Sequence, residues 1–469
     1  DCSPREVSIH YDDMAFNQRQ AVARLSPAIL NAVDHVSAGS LQFGQDRIAQ
    51  AVADLSRLFT KDRAQLKTDY LNQTAHAAAY LRYFLPVNLC KLQILFDEMP
   101  EEWPGKEGDR PIRILDLGSG PGVGALAALD WLHQHWPERI KNLTVVAVDG
   151  SSEALKHARS LWGAYCRESG ALGGRLITLE GKLEQLSNGG WLSQVAQHAP
   201  YDLIIAANCL NELYVRAADP VESRAELVTQ CLSRLAPTGT LMLVEPALRD
   251  TSRALHQLRD RLGREKRCTI YSPCLHENSC PALVNPFDWC HEERPWEPPS
   301  EIQAIDDLVG FIKDALKFSY LLLRKDGRTV VDRKPEVYRV VSELRELKGE
   351  KRAWLCNELG RSEIGRQDRL ASPANAAVDV WHRGAIVQIE RVVRKEREGK
   401  VSAVGRIEGD VGARSATLAG HITGNVQTVE KLVLEGKTVL LGDIQTRELV
   451  IQEGAIFQGR CAMEASART

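Results

Sequence analysis

Ile114-Leu115-Asp116-Leu117-Gly118-Ser119-Gly120-Pro121-Gly122-Val123-Gly124 reads as a β-strand that runs into a glycine-rich turn and then a helix. Glycines at alternate positions keep Cβ atoms out of the space above the turn and permit positive φ angles. The helix beginning near Gly124 points unpaired N–H groups at whatever occupies that turn. A dinucleotide site would space its glycines G-x-G-x-x-G to face a pyrophosphate. Here the third glycine comes one residue early, and Asp116 sits two residues before the first. That is the pattern of S-adenosylmethionine sites, with Asp116, Gly118, Ser119, Gly120 and Gly122 as candidate cofactor residues.

The elements that follow come in the order of a doubly wound sheet. Leu143 to Asp149 is an apolar run ending in a carboxylate, placed to accept ribose hydroxyls at the end of a second strand. The connection is lengthened by His133-Gln134-His135-Trp136-Pro137-Glu138-Arg139, and a plainer role open to Asp149 is to cap a helix over 151–161. Further strands are read at Arg175–Glu180, Tyr201–Asn208 and Gly239–Pro246. Strands alternating with amphipathic helices specify a parallel sheet covered on both faces, whose ligands bind at the carboxyl ends. Asp116, Asp149, Asn208 and Glu245 all fall there, and Asn208 joins the candidate cofactor residues.

Around this sheet the chain of 469 residues has material for about three domains on a prior of ~150 residues each. A net charge of −3 gives no global basic field, so nucleic-acid contact would need local patches. No apolar run approaches the ~18 residues of a membrane helix. No secretory signal is read, and a first residue other than Met points to a natural start upstream. Eleven cysteines, an odd number, with several in apolar contexts (Cys90, Cys209, Cys231), suit a reducing cytoplasm. Ahead of the sheet, residues 21–33, 45–59 and 71–99 keep the apolar spacing of helices, with Pro86 kinking or restarting the last.

A second informative region is Pro273-Cys274-Leu275-His276-Glu277-Asn278-Ser279-Cys280-Pro281, followed by Asp288-Trp289-Cys290-His291. A metal or cluster orders such a Pro-rich, weakly periodic insert where no apolar core does. Thiolates favour zinc or iron–sulfur centres with four ligands. The spacing matches no common zinc ribbon, so a fourth ligand must come from elsewhere: Cys356 is the choice, with Cys268, His276 and His291 as competitors. The plainer account is three unrelated loop thiols.

These motifs carry a family resemblance. The glycine turn, Asn211-Glu212-Leu213, Glu245-Pro246, the Cys274/Cys280/Cys290 insert, Lys317-Phe318-Ser319-Tyr320, Leu355-Cys356 and an upstream stretch with Tyr80 and Phe84-Leu85-Pro86 are involved. Together they resemble the methyltransferase-like assembly factors of the small ribosomal subunit, found in mitochondria and many bacteria. The likeness runs from about residue 25 to at least 360, and its cysteine pattern is more specific than its glycine turn. It implies a four-iron four-sulfur (4Fe-4S) cluster on Cys274, Cys280, Cys290 and Cys356, and binding to small-subunit ribosomal RNA during assembly. The final hundred residues do not continue the family's usual tail.

Catalysis has less support, and no catalytic residue is assigned. RNA N-methyltransferases often carry an Asn/Asp-Pro-Pro-Tyr-like signature after the fourth strand, where this chain has Asn208-Cys209-Leu210-Asn211-Glu212-Leu213-Tyr214. Asn208 and Asn211 offer hydrogen bonds to a base edge and Tyr214 a stacking face, or all three simply build the next helix's first turn. Basic groups at 261–267, 324–328 and 391–397 offer phosphate contacts, although each also contains acids that suit a solvated surface. Tyr271, Phe287, Trp289 and Trp296 near the cysteines offer stacking or packing.

From about Gly409 the pattern becomes short and β-like. Residues 431–442 superpose on 448–459 with a step of 17, and Gly424-Asn425-Val426 echoes Gly442-Asp443-Ile444 with one residue added. Such a step fits one coil of a β-helix. The tail resembles bactofilins, whose β-helices join end to end, and predicts self-association or docking onto the preceding domain. Residues 381–408 suggest a small sheet ending the assembly-factor part.

The expected architecture is therefore α/β. A helical region (1–105) precedes a class I methyltransferase-type doubly wound parallel sheet (106–330) that contains a Cys-rich insert (268–296). A small β-rich extension (331–408) and a short β-helix (409–469) follow. Three functions remain open: an S-adenosylmethionine-dependent enzyme modifying ribosomal RNA, a non-catalytic assembly factor that binds RNA, and a polymerising scaffold carrying the rest.

Overall fold

The computed structural model describes residues 22–38, 44–63, 70–100, 103, 110–185, 190–311, 314–389, 400–404, 407–408, 411–419, 421–436 and 438–463. The chain divides into two compact units, a larger one of Ala15–Leu283 with Phe287–Arg333, and a smaller one that contains Val284–Pro286 and Lys334–Thr469.

The larger unit opens with helices α1 (Pro27–Ser37), α2 (Gln45–Thr60), α3 (Thr74–Ala79) and α4 (Leu85–Asp97). α1 begins later than its apolar spacing suggests, because Pro27 supplies a first turn and the Ser26 hydroxyl accepts the Ile29 N–H. The stretch read as one helix over 71–99 is interrupted by a π turn at Tyr80–Phe84. Pro86 has no N–H for the Arg82 carbonyl, and the ladder widens so that the Leu85 N–H reaches back to Tyr80.

The sheet comprises β1 (Ile112–Leu117), β2 (Leu143–Asp149), β3 (Arg175–Glu180), β4 (Tyr201–Ala207), β5 (Leu235–Pro246), β6 (Thr269–Ser272), β7 (Glu292–Pro295) and β8 (Ala315–Arg324). Its order is β3-β2-β1-β4-β5-β8-β6, with β7 also pairing β8. Strands β1 to β5 are parallel, whereas β8 runs antiparallel to both β5 and β6. A parallel half closed by one reversed strand is the methyltransferase-type arrangement. Helices α5 (Val123–His135), α6 (Ser152–Ser169), α7 (Trp191–Ala196), α8 (Pro220–Arg234), α9 (Arg249–Arg264) and α10 (Ser300–Val309) complete the unit. One apolar cluster joins Leu89, Leu129 and Val145 to the N-terminal helices, and a second packs Ile204, Leu241 and Leu321 against α8 and α9. Both faces of the sheet are thus covered, as parallel strands require.

The smaller unit contains an antiparallel sheet of β9 (Val337–Val340), β10 (Arg345–Leu347), β11 (Glu350–Asn357), β12 (Gly360–Gln367) and β13 (Ile386–Gln388). Beyond it, strands stack in parallel. Lys431–Leu434 pairs with Glu448–Ile451, and Val439–Leu441 with Ile456–Gln458, both at the step of 17. Val426 pairs with Ile444, the step lengthened by one residue. Leu418, Leu432, Leu434 and Leu440 fill the coil interior. Asn425 accepts the Asp443 N–H and Asp443 accepts the Arg460 N–H, a polar ladder along the stack. Lys400–Val404 and Ile407–Glu408, expected in the preceding sheet, instead pair in parallel with Ser415–Ala419 and Ile422–Thr423. Their alternation suits either sheet, and only the partner strand decides. The coils therefore begin before residue 409.

Candidate functional site: a glycine-lined crevice and a cysteine insert

Gly118, Gly120 and Gly122 all have positive φ (62°, 51° and 83°), so the turn after β1 has a shape that L side chains resist. The turn is anchored on both flanks. The Ser119 N–H donates to the Val148 carbonyl at 3.1 Å, and the Gly120 N–H donates to Asp149 Oδ2 at 2.8 Å. Asp149 Oδ1 accepts the Ser151 N–H at 2.8 Å, while the cap of α6 is the Ser151 hydroxyl, which accepts the Ala154 N–H. Asp149 therefore ties the turn to the end of β2 rather than capping the helix. α6 itself runs on to Ser169, where left-handed Gly170 ends it.

Asp116 faces the other way. Its Oδ2 accepts the Ala125 N–H at 2.9 Å, and a Cβ on Gly124 would stand 2.5 Å from its Oδ1. Gly124 is thus the residue that lets this carboxylate lie under the start of α5. Burial, with Asp149 nearby, pushes the Asp116 carboxyl up to about 7, against the Ala125 and Gly124 N–H bonds that favour its charged form. Asn208 lies just past β4 with φ 58°, its N–H donating to the Val244 carbonyl. Its side-chain amide has no hydrogen-bond partner among the described residues. Asn is the non-glycine residue that takes this left-handed conformation most readily, which suits it to the turn out of β4.

Four carboxylates border this crevice. Besides Asp116 and Asp149, burial raises both Glu212 and Glu245 to about 7. Glu245 accepts the Asn211 N–H at 3.3 Å and the Asn211 side-chain amide, which leaves the buried Asn211 Oδ1 unpartnered. Cations near it among the described residues include Arg63, which lowers Glu212, Arg224, whose guanidinium donates to the Asn211 and Leu213 carbonyls, and Lys182, whose side chain passes Gly150. Tyr70 and Tyr80 complete the surroundings. Burial raises both phenols, and Glu212 and Asp149 raise them further. The Tyr80 hydroxyl lies 3.9 Å from where a Cβ on Gly120 would be. Tyr70, Arg63 and the acidity of Glu212 were not singled out from sequence, because their helical spacing reads as ordinary core and surface.

The cysteine insert is held by one face of α9. Arg253 donates to the Ala282, Leu283 and Asp288 carbonyls, and His256 pairs with the Cys290 carbonyl at 3.0 Å. Arg259, fully buried, donates to the His276 and Asn278 carbonyls, and Asp260 accepts the Cys280 N–H at 3.0 Å. These positions recur every three to four residues and so share a helix face. Cys274 and Cys290 lie close enough to Cys280 that each raises its thiol, after burial itself, while Arg259 lowers it. Among the described residues, no three His, Cys, Asp or Glu side chains converge tightly enough to hold a metal ion. Cys356 lies on β11, in the smaller unit, opposite Arg339 and Arg361.

The basic groups are largely engaged within the protein. Arg261 pairs with Glu222 and Glu265, and Arg267 pairs with the same two acids. Arg324 turns inward to Thr240 and Asp326, and Lys325 donates to the Leu235 carbonyl. The group at 391–397 lies outside the described residues. Near the cysteines, Tyr271 and Trp296 are buried, Trp289 stacks on His291, and Phe287 is 74% exposed. No helix among the described residues is long and apolar enough to cross a membrane.

Residues 375–462 match the family Bactofilin, described as polymer-forming cytoskeletal. Bactofilin BacO of Myxococcus xanthus (strain DK1622) is 31% identical over 68 residues, 14% of this chain and 54% of that protein. The chain thus spans about half the length of the curated relative it matches. Solved structures similar to it include the plantazolicin methyltransferase BpumL in complex with SAH, at 14% identity and TM-score 0.29, covering 63% of this chain and 99% of that one. An O-methyltransferase family protein from Burkholderia thailandensis aligns at 15% identity and TM-score 0.29, over 58% and 64% of the two chains. The strand order, rather than these overlaps, carries the fold. Residues 74–364, well over half of the chain, match the family described as Mitochondrial small ribosomal subunit Rsm22, and the protein is a member of that family.

Proposed function

We propose that this chain is an S-adenosylmethionine-binding, methyltransferase-like factor that associates with small-subunit ribosomal RNA during ribosome assembly. The observation that carries the reading is the turn at Gly118-Ser119-Gly120, bound to Asp149 and bordered by Asp116, Glu212 and Glu245. A pyrophosphate would bring further negative charge among buried carboxylates. A ligand carrying an ammonium and a sulfonium brings the opposite sign, and its ribose fits the remaining lone pairs of Asp149. Gly118, Gly120, Gly122 and Asn208 shape that space. When bound, S-adenosylmethionine supplies an activated methyl group. The chain's own residues orient it, and Asn211 Oδ1 offers an acceptor to an N–H donor.

The cysteines are the second part of the proposal. The thiols of Cys274, Cys280 and Cys290 beside α9 have the donor chemistry of an iron–sulfur centre, with zinc as the alternative, and Cys356 is the fourth ligand that the family resemblance implies. Such a group would order the insert. The non-catalytic form of the proposal is favoured by the Asn211–Glu245 hydrogen bonds, which occupy the position where amine methyltransferases keep a rigid proline turn. The tail is proposed to self-associate through its coil ends, where Ile456 and Met463 are exposed.

Anaerobic purification of the full chain, followed by assay of iron, sulfide, visible absorbance and S-adenosylmethionine binding, tests this reading. Brown protein that binds the nucleoside is expected. Colourless protein with stoichiometric zinc removes the iron–sulfur part, and absence of nucleoside binding removes the pocket.

A further inference from the structure

Four aromatic side chains from the helices ahead of the sheet form one group beside the glycine turn. Phe59 packs edge-on against Tyr70, Tyr80 and Phe84, with ring centroids 5.5, 6.4 and 5.1 Å away. Tyr80 lies 6.0 Å from both Tyr70 and Phe84. The Tyr80 hydroxyl, which pairs with Asn88, lies 3.9 Å from the Cβ position of Gly120, and both tyrosines feel the Asp149 and Glu212 carboxylates.

Arg63 acts on Glu212, and the Arg224 guanidinium is engaged by the Asn211 and Leu213 carbonyls. Among the described residues, Asp116, Asp149, Glu212 and Glu245 face Arg63 and Arg224, with the Lys182 side chain passing Gly150. Electron-rich phenol rings and carboxylates attract a cation, and attract it more strongly where water is excluded. A neutral thioether of the same shape gains neither attraction.

We propose that this crevice discriminates the sulfonium form of its nucleoside ligand from the demethylated thioether, with Tyr80 and Tyr70 as the specificity-determining residues. The inference rests on the S-adenosylmethionine reading of the pocket and goes beyond it. It makes the chain's occupancy follow the supply of methyl donor, since the demethylated product leaves readily. An enzyme of this kind avoids product inhibition, and a non-catalytic factor of this kind associates with its partner only when charged ligand is present.

Calorimetric titration of the full chain with S-adenosylmethionine, with sinefungin (an amine cation in place of the methyl sulfonium) and with S-adenosylhomocysteine is the test. Both cationic ligands are expected to bind about tenfold more tightly than the thioether. Tyr80→Leu is expected to bring the ratio to within about twofold, and Tyr80→Phe to retain most of it, because the ring remains. Tyr70→Leu, read in the same way, stands in should Tyr80→Leu fold poorly. Thioether binding as tight as or tighter than S-adenosylmethionine overturns the discrimination alone. Failure of all three ligands to bind overturns the pocket, and this inference with it.

Discussion

The Gly120 N–H donates to Asp149 Oδ2 at 2.8 Å, so the turn after β1 is held by the carboxylate that ends β2. One residue therefore serves both the shape of the crevice and its charge. Asp149→Ala removes the acceptor for two backbone N–H groups and is expected to weaken S-adenosylmethionine binding at least tenfold. Asp149→Glu, with the charge retained but displaced, should fall between. Calorimetry with circular dichroism as the folding control reads this out, and unchanged affinity in Asp149→Ala would remove Asp149 from the site.

Gly122→Ala tests the turn's geometry instead of its charge. The added Cβ meets the Ala158 Cβ at 2.9 Å and is built on a φ of 83°. A loss of about 1–3 kcal/mol in unfolding free energy is expected in denaturant titration. A change below a few tenths would show that the turn relaxes freely.

Acidity sets a pH dependence whose sign follows from burial. Asp116, Glu212 and Glu245 titrate near 7 in the fold, above their ordinary values. Without ligand, the stability these groups contribute is full below their ordinary range and is lost as pH rises through about 7. A cationic ligand favours the ionised forms, so its affinity should rise between about pH 5.5 and 7.5, below the titration of its own amino group. The thermal shift induced by S-adenosylmethionine, followed across that window, should grow with pH. A flat or falling response contradicts the charge account.

Cys290→Ser bears on the insert. If the three thiols share an iron–sulfur centre, iron and sulfide per chain should fall by more than half and the visible absorbance should disappear. His256→Ala, which removes one partner of the Cys290 carbonyl and leaves the Ser319 hydroxyl, should lower loading less severely. Iron content equal to that of the unmutated chain in Cys290→Ser would exclude this cysteine as a ligand.

What the sequence made legible follows from how local each signal is. The tail's pairing register could be read because its glycines and apolar pairs repeat at a near-constant step, and each coil meets only its neighbours. Strands β1 to β4 were readable because each is an apolar run bounded by turn chemistry, although Asn208 proved to lie past its strand in a left-handed turn. The place of β8 between β5 and β6 was not readable, since nothing in 315–324 says which edge it joins. The same holds for the acids that neutralise Arg261 and Arg267. Glu222 is some 40 residues away and reaches them only because α8 lies along α9. The aromatic group was missed for a related reason. Phe59, Tyr70, Tyr80 and Phe84 look like core positions, and only the folded chain sets them beside Gly120.

The central claim is that S-adenosylmethionine binds over the turn after β1. Amide hydrogen exchange of the full chain with and without the nucleoside tests it most directly. Protection concentrated at residues 117–124, at 149–151 and around Tyr80 is the predicted result. Saturating ligand that leaves those amides unchanged, or protects a different part of the chain, would contradict the account.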